Sequence, residues 1–215
     1  MPSEPLEPGD PVRPGRFRHA ARHRGYRGRR RLWLAAGTAV IAAVAAVTGI
    51  LASGFPSHDG HPAHLLVTPA RIGAYVRSVA LEDQVGTALL RDQVIKTSTG
   101  RPDHVVSAVY ESGTSATGSP EQIIAFIGGH LANTDPAAWI AGFLQKFPGA
   151  RVVSAGSLGG DAACAQEGAS TAATAMCVWF DSDSFGEFVS PTMSVTALAP
   201  AMRAFRSSIE LPATG

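Results

Sequence analysis

Cysteine is scarce in this 215-residue chain: Cys164 and Cys177 are its only two, so it can form one internal disulfide at most. Lysine is equally scarce. Lys96 and Lys146 stand alone, and the positive charge is otherwise arginine. Familiar catalytic signatures are also missing. There is no G-x-S-x-G and no H-E-x-x-H, and Gly159-Gly160-Asp161 lacks the G-K-[ST] of a phosphate loop. These absences exclude a recognisable serine-hydrolase elbow, a helical zinc-protease motif and a P-loop. A further absence is more informative: residues 32–52 contain no charged side chain.

That apolar stretch, LWLAAGTAVIAAVAAVTGILA, is long enough as a helix to cross a bilayer. At about 1.5 Å per residue it covers roughly 31 Å, against a hydrocarbon core of about 30 Å. A helix also satisfies its own backbone hydrogen bonds, which lipid cannot do. Residues 1–31 carry nine arginines and three acids, a formal charge of +6. The whole chain is +1, so the remainder is −5. Arg29, Arg30 and Arg31 abut the apolar run and set its direction, because basic residues stay on the cytoplasmic side. The expectation is a membrane helix over 32–53 with the N-terminus in the cytoplasm. A cleaved signal peptide is the main alternative, although its apolar region usually spans only about 7–15 residues. The match to a twin-arginine signal is poor apart from the arginines. A lipoprotein is excluded, since Gly54 stands where a cysteine would be acylated. Residues 1–31 read as a disordered tail, proline-rich and nearly without apolar side chains. Their arginines serve topology here rather than nucleic-acid binding.

Residues 54–63 read as a polar stalk, and residues 64–215 as one extracytoplasmic domain of ordinary size. His58, His61 and His64 recur every third residue, but Gly60 and Pro62 argue against the helix that would gather them on a metal. Within the domain, Leu65-Leu66-Val67 predicts a short strand. Ser78 caps one helix running to about Lys96, with Leu81, Val85, Ala88 and Leu89 on a face. A strand follows over 104–111. Residues 121–129 carry both helix-start and strand signals, and a strand is the reading preferred. Asp135, Pro136 and the stripe Ile140, Phe143, Leu144, Phe147 predict a helix stopped by Pro148-Gly149. Strands are predicted over 151–155, 162–165, 176–180 and 185–189, and a last helix over 197–210. The fold class is therefore α+β, a mainly antiparallel sheet packed with about three helices.

Cys164 and Cys177 fall on predicted neighbouring strands, and outside the cytoplasm a disulfide is the natural state for such a pair. A nucleophilic cysteine needs a nearby base, and neither His104 nor His130 sits in a recognisable motif. Asp181-Ser182-Asp183-Ser184-Phe185-Gly186 has part of a calcium loop, but Phe185 and Thr192 occupy two ligand positions. A hairpin turn is the better reading. The terminal Leu211-Pro212-Ala213-Thr214-Gly215 has the L-P-x-T-G form of a sortase signal without the apolar segment and basic tail that accompany one. No catalytic residue, cofactor or metal ligand emerges from the sequence.

Residues 156–164 (GSLGGDAAC), then Cys177-Val178-Trp179-Phe180-Asp181 and Phe185-Gly186, resemble a group of uncharacterised actinobacterial single-pass membrane proteins. These have a basic cytoplasmic tail, one span and an exported domain with a G-x-L-G-G-x-x-x-C … C-x-W-x-D signature. Abundant Ala, Gly and Arg fit the high-GC coding such a source implies. The resemblance covers mainly residues 150–190. It implies membrane location and a disulfide hairpin, and brings no activity with it. The expected role is a non-catalytic binding or interaction domain of the cell envelope. Its expected partners are the lipid bilayer, through residues 32–53, and an envelope protein. An accessory or sensory subunit of a larger membrane complex is the alternative, and a cell-envelope enzyme a more distant one.

Overall fold

Residues 123–127 and 175–180 are apolar at every position rather than at every second one. A strand with that pattern needs cover on both faces, and the fold provides it. The computed structural model describes residues 64–97, 102–114, 118, 120–131, 135–168 and 173–213. Among them are ten strands and four helices. The strands are β1 (His64–Leu66), β2 (Arg71–Ile72), β3 (Tyr75–Arg77), β4 (Asp103–Ser112), β5 (Gln122–His130), β6 (Arg151–Val153), β7 (Asp161–Glu167), β8 (Thr174–Phe180), β9 (Ser184–Ser190) and β10 (Glu210–Pro212). The helices are α1 (Val79–Val85), α2 (Thr87–Thr97), α3 (Pro136–Lys146) and α4 (Val195–Ile209).

Eight strands form one sheet in the order β2-β3-β4-β5-β9-β8-β7-β6, and β1 and β10 form a separate ribbon. Every pairing among these strands is antiparallel. The fold is thus α+β, with helices on both faces. On one face Leu81, Leu90, Val94, Trp139 and Phe143 of α1–α3 bury Val109, Ile127, Met176, Val178 and Phe180. On the other, Leu198, Met202, Phe205 and Ile209 of α4, with Leu66 of the ribbon, bury Phe126, Cys177, Trp179 and Phe188. Burial on both sides removes the alternation that normally marks a strand. That is why residues 121–129 look ambiguous as sequence; they are β5.

The helix expected over 78–96 is two helices, which raises the expected three to four. Gly86 adopts φ +71, closes α1 by donating its N–H to Glu82 O, and lets the chain restart as α2. Ser78 holds the N-cap position without a side-chain cap bond. Asp135 does cap α3, accepting from the Ala138 N–H at 3.1 Å, with Pro136 in the first turn. Ser194 caps α4, which begins before the expected position and carries Pro200 internally. Strands β2, β3 and β10 were not foreseen; at two or three residues they are too short to show a period. Leu211 and Pro212 are paired to β1 (Leu65↔Leu211, His64↔Pro212), so a strand follows the last helix.

Cys164 and Cys177 stand directly opposite on β7 and β8, with Cα atoms 4.1 Å apart, and are joined as a disulfide. Two residues after Cys177, Trp179 faces Gly186 across β8 and β9, and a Cβ on Gly186 would lie 1.8 Å from the indole ring. Glycine is required there because the tryptophan occupies its side-chain space.

Among the described residues no helix is long and apolar enough to cross a membrane. The expected tail, membrane helix and stalk, with Arg29, Arg30 and Arg31, lie outside the described residues, as do His58, His61, Thr214 and Gly215. The disulfide leads to a prediction. Replacing Cys164 and Cys177 together by serine is expected to lower the unfolding free energy by about 2–4 kcal/mol in urea titrations. Unfolded, unreduced wild-type protein is expected to show no free thiol, whereas two free thiols would contradict the bridge.

Candidate functional site

Arg206 lies on α4, four residues after Met202 and eight after Leu198, so helical spacing turns it toward the sheet. It is 1% exposed. Its Nη2 donates to Asp181 Oδ2 at 2.6 Å and to Glu210 Oε1 at 3.2 Å, and its Nε to Glu210 Oε2. Nη1 donates to the carbonyls of Ala155 (3.2 Å) and Gly159. The guanidinium carbon sits 5.4 Å from the centre of the Trp179 ring, within cation–π range. A buried arginine is tolerated only when paired and fully hydrogen-bonded, and this one is. Residues from the stretches 156–164 and 177–181 converge on it. Gly159 supplies a carbonyl, Trp179 a ring face and Asp181 a carboxylate. Gly160, at φ +78, lies against the Phe180 carbonyl, where a Cβ would be 2.4 Å away.

Asp181 also organises the β8–β9 turn. Its carboxylate accepts from the N–H groups of Asp183 (3.0 Å) and Ser184 (2.6 Å) and from the Ser184 hydroxyl (2.9 Å). These residues form a hairpin turn, as the sequence reading prefers over a calcium loop. Burial works against ionisation of Asp181, but hydrogen bonds from its neighbours outweigh it and hold the carboxyl below its ordinary value. Burial pushes the Glu210 carboxyl up, and its proximity to Asp181 adds to that, against the pull of Arg206. His64 closes the cluster. Its Nδ1 lies 3.0 Å from Asp183 Oδ1 and 3.6 Å from Glu210 Oε1. Partial burial lowers the affinity of its ring for a proton, yet the hydrogen bond to Asp183 and the nearby carboxylates raise its pKa on balance. His64, Asp181 and Glu210 have the spacing of a metal-ligand set, but the Arg206 guanidinium already supplies their positive charge. The cluster is a structural clasp.

Glu187 is a different kind of buried group. It lies mid-strand in β9 between Ile127 of β5 and Val178 of β8, and is 1% exposed. Its Oε1 has no hydrogen-bond partner among the described residues. Burial pushes its pKa up to about 8; repulsion from Glu167 contributes, and attraction from Lys146 partly opposes it. Beside it, under α2, is a cavity of about 10 Å³ reached by Thr87, Leu90 and Ser107. That is room for roughly one water molecule, far below the volume of a metabolite site.

The third constellation sits at the far end of β4 and β5. Asp103 pairs with His130, and the register then slips by one residue before Val106 meets Gly128. The extra residue is accommodated by a bulge, within which His104 takes φ +46, the one positive φ outside glycine among the described residues. A non-glycine residue held there costs on the order of 1–3 kcal/mol. The His104 and His130 ring centres are 5.3 Å apart. His130 Nδ1 lies 3.4 Å from Asp103 Oδ1. His130 is 5% exposed, and among the described residues neither ring nitrogen has a hydrogen-bond partner. Each such buried orphan costs about 1–3 kcal/mol.

Sequence pattern singles out Cys164 and Cys177 but not Arg206, Glu187 or the Asp103–His104–His130 group. Two of these had a legible signal. Arg206 continues the Leu198–Met202 row, and Glu187 interrupts the alternate row Phe185, Glu187, Val189. The histidines had none, because 26 positions separate them and only strand register brings them together.

The buried carboxyl sets a pH dependence. A folded-state pKa near 8 against an ordinary 4.5 means that Glu187 stabilises the fold fully below about pH 4.5. That contribution falls as pH rises toward 8, at up to about 1.4 kcal/mol per pH unit. Glu187→Gln is expected to remove this slope in denaturant titrations between pH 5 and 8; an unchanged slope would show that the proton resides elsewhere.

No protein-family model, no curated protein and no solved structure matches this chain.

Proposed function

We propose that this chain is a single-pass membrane protein whose residues 64–215 form an extracytoplasmic domain acting as a binding or interaction module of the cell envelope. The Cys164–Cys177 disulfide is the observation that carries the reading, since such bridges persist in oxidising compartments and are rare in the cytosol. The arginine-to-apolar junction at residues 29–32 supports it independently, through the placement of positive charge. The ribbon is consistent with such an anchor. His64, the first described residue, is tied through its backbone N–H to Asp183 at 3.0 Å, so the domain is fixed where a stalk would enter. For the binding role, Val79, Leu89 and Ile95 on α1 and α2 are exposed to 62%, 76% and 45%. They leave apolar side chains at the surface that an envelope protein would cover. The likeness of residues 150–190 to actinobacterial exported domains belongs to the same proposal.

Topology is tested first. Alkaline phosphatase fused after residue 215 is expected to be active in cells, and a cytoplasmic reporter at the same place inactive. The reverse pattern would overturn the placement. The binding role is tested with a photo-crosslinker at position 89 in membranes. It is expected to give one discrete adduct that disappears in Val79→Asp protein, and no adduct above background would count against the surface.

A further inference from the structure

The bulge that opens β4 faces the end of β5 and gathers two imidazoles and a carboxylate at one rim of the sheet. We infer that Asp103, His104 and His130 form a binding site for a divalent transition metal of the zinc class. One donor atom from each of the three lies within 4.8 Å of the other two. Zinc takes nitrogen and carboxylate ligands at about 2.0–2.2 Å, so a tetrahedral pair of donors stands roughly 3.4 Å apart. His130 Nδ1 and Asp103 Oδ1 are 3.4 Å apart. The two do not form a hydrogen bond, and their spacing matches that of two ligands on one cation.

The second observation is the state of His130. A ring 5% exposed, with both nitrogens lacking a hydrogen-bond partner among the described residues, is poorly accommodated as an ordinary core residue. A metal bound at Nδ1 would satisfy one of them. The third is the backbone. His104 is exposed and held at φ +46 by the bulge, beside the partner of His130 in the register. Gly129 lets the strands close here, since a Cβ on it would meet Val105 at 2.9 Å and the Asp103 carbonyl at 3.1 Å. The other histidine–carboxylate cluster differs on each count, because Arg206 fills it and its members are paired.

Two imidazoles and one carboxylate leave a fourth position for water or for a partner's side chain. The site is therefore open, and its exposed members, Asp103 and His104, make it reachable from solvent. The inference rests on this geometry and not on the membrane placement.

The test uses the full chain in detergent, stripped with chelator and dialysed against zinc. Mass spectrometric metal analysis is expected to find one zinc per chain, with Kd in the micromolar range or tighter by competition with a chromophoric chelator. Cobalt in place of zinc is expected to give the visible absorption of a four-coordinate centre. Asp103→Asn and His104→Ala, both at exposed positions, are each expected to weaken binding at least tenfold. A His58→Ala/His61→Ala variant is expected to bind as wild type does. The inference fails if no stoichiometric zinc is retained, if Asp103→Asn and His104→Ala leave affinity unchanged, or if binding is lost with His58 and His61.

Discussion

One buried guanidinium holds together parts of the chain that are far apart in sequence. Arg206 reaches the loop before β7 through Ala155 and Gly159, the β8–β9 turn through Asp181, and the start of β10 through Glu210. Beneath it lies Trp179, whose ring fills the space left by Gly186. Removing one partner from such a group is expensive, typically about 3–5 kcal/mol, because the others remain buried and charged. That constraint makes sense of the G-x-L-G-G … C-x-W-x-D pattern. Its residues need not touch a ligand to have a purpose; they build the socket for one arginine and staple the strands beside it.

The sheet shows the same division between support and chemistry. Its central strands are covered on both faces, so β5, β8 and β9 are buried along nearly their whole length. Within that interior Glu187 stays protonated near neutral pH, with a pKa of about 8. Besides Glu187 Oε1, both ring nitrogens of His130 lack a hydrogen-bond partner among the described residues, at the rim where β4 bulges and His130 turns inward. Strain and orphaned donors or acceptors concentrate at functional sites. Ligand chemistry is therefore expected at the β4–β5 rim and stability at Arg206.

Much of the fold was legible from local pattern. The cap at Asp135, the strand pair carrying Cys164 and Cys177, and the stripe of α4 all follow from spacing and turn chemistry. What was hidden has physical reasons. The split between α1 and α2 depends on Gly86 taking a left-handed φ, which a helical pattern alone does not reveal. The β1–β10 ribbon joins the first and last described strands, and three residues each carry no periodicity. The Asp103–His104–His130 group exists only once β4 and β5 are in register with a bulge, so no local window could contain it. Arg206 was visible but ambiguous, since an arginine beside an apolar stripe usually snorkels to solvent.

Amide hydrogen exchange on the full chain carrying Arg206→Met, compared with wild type, tests the clasp most directly. If Arg206 is the hub, protection should fall together at Asp181 and Ser184 in the β8–β9 turn and at Val67, whose amide is bonded to Ile209 O. The amides of Trp139 in α3 and of its C-cap Phe147 should keep theirs. Loss confined to the turn of helix around residue 206, or no loss at all, would mean that the buried charges are bystanders and that packing alone holds the domain.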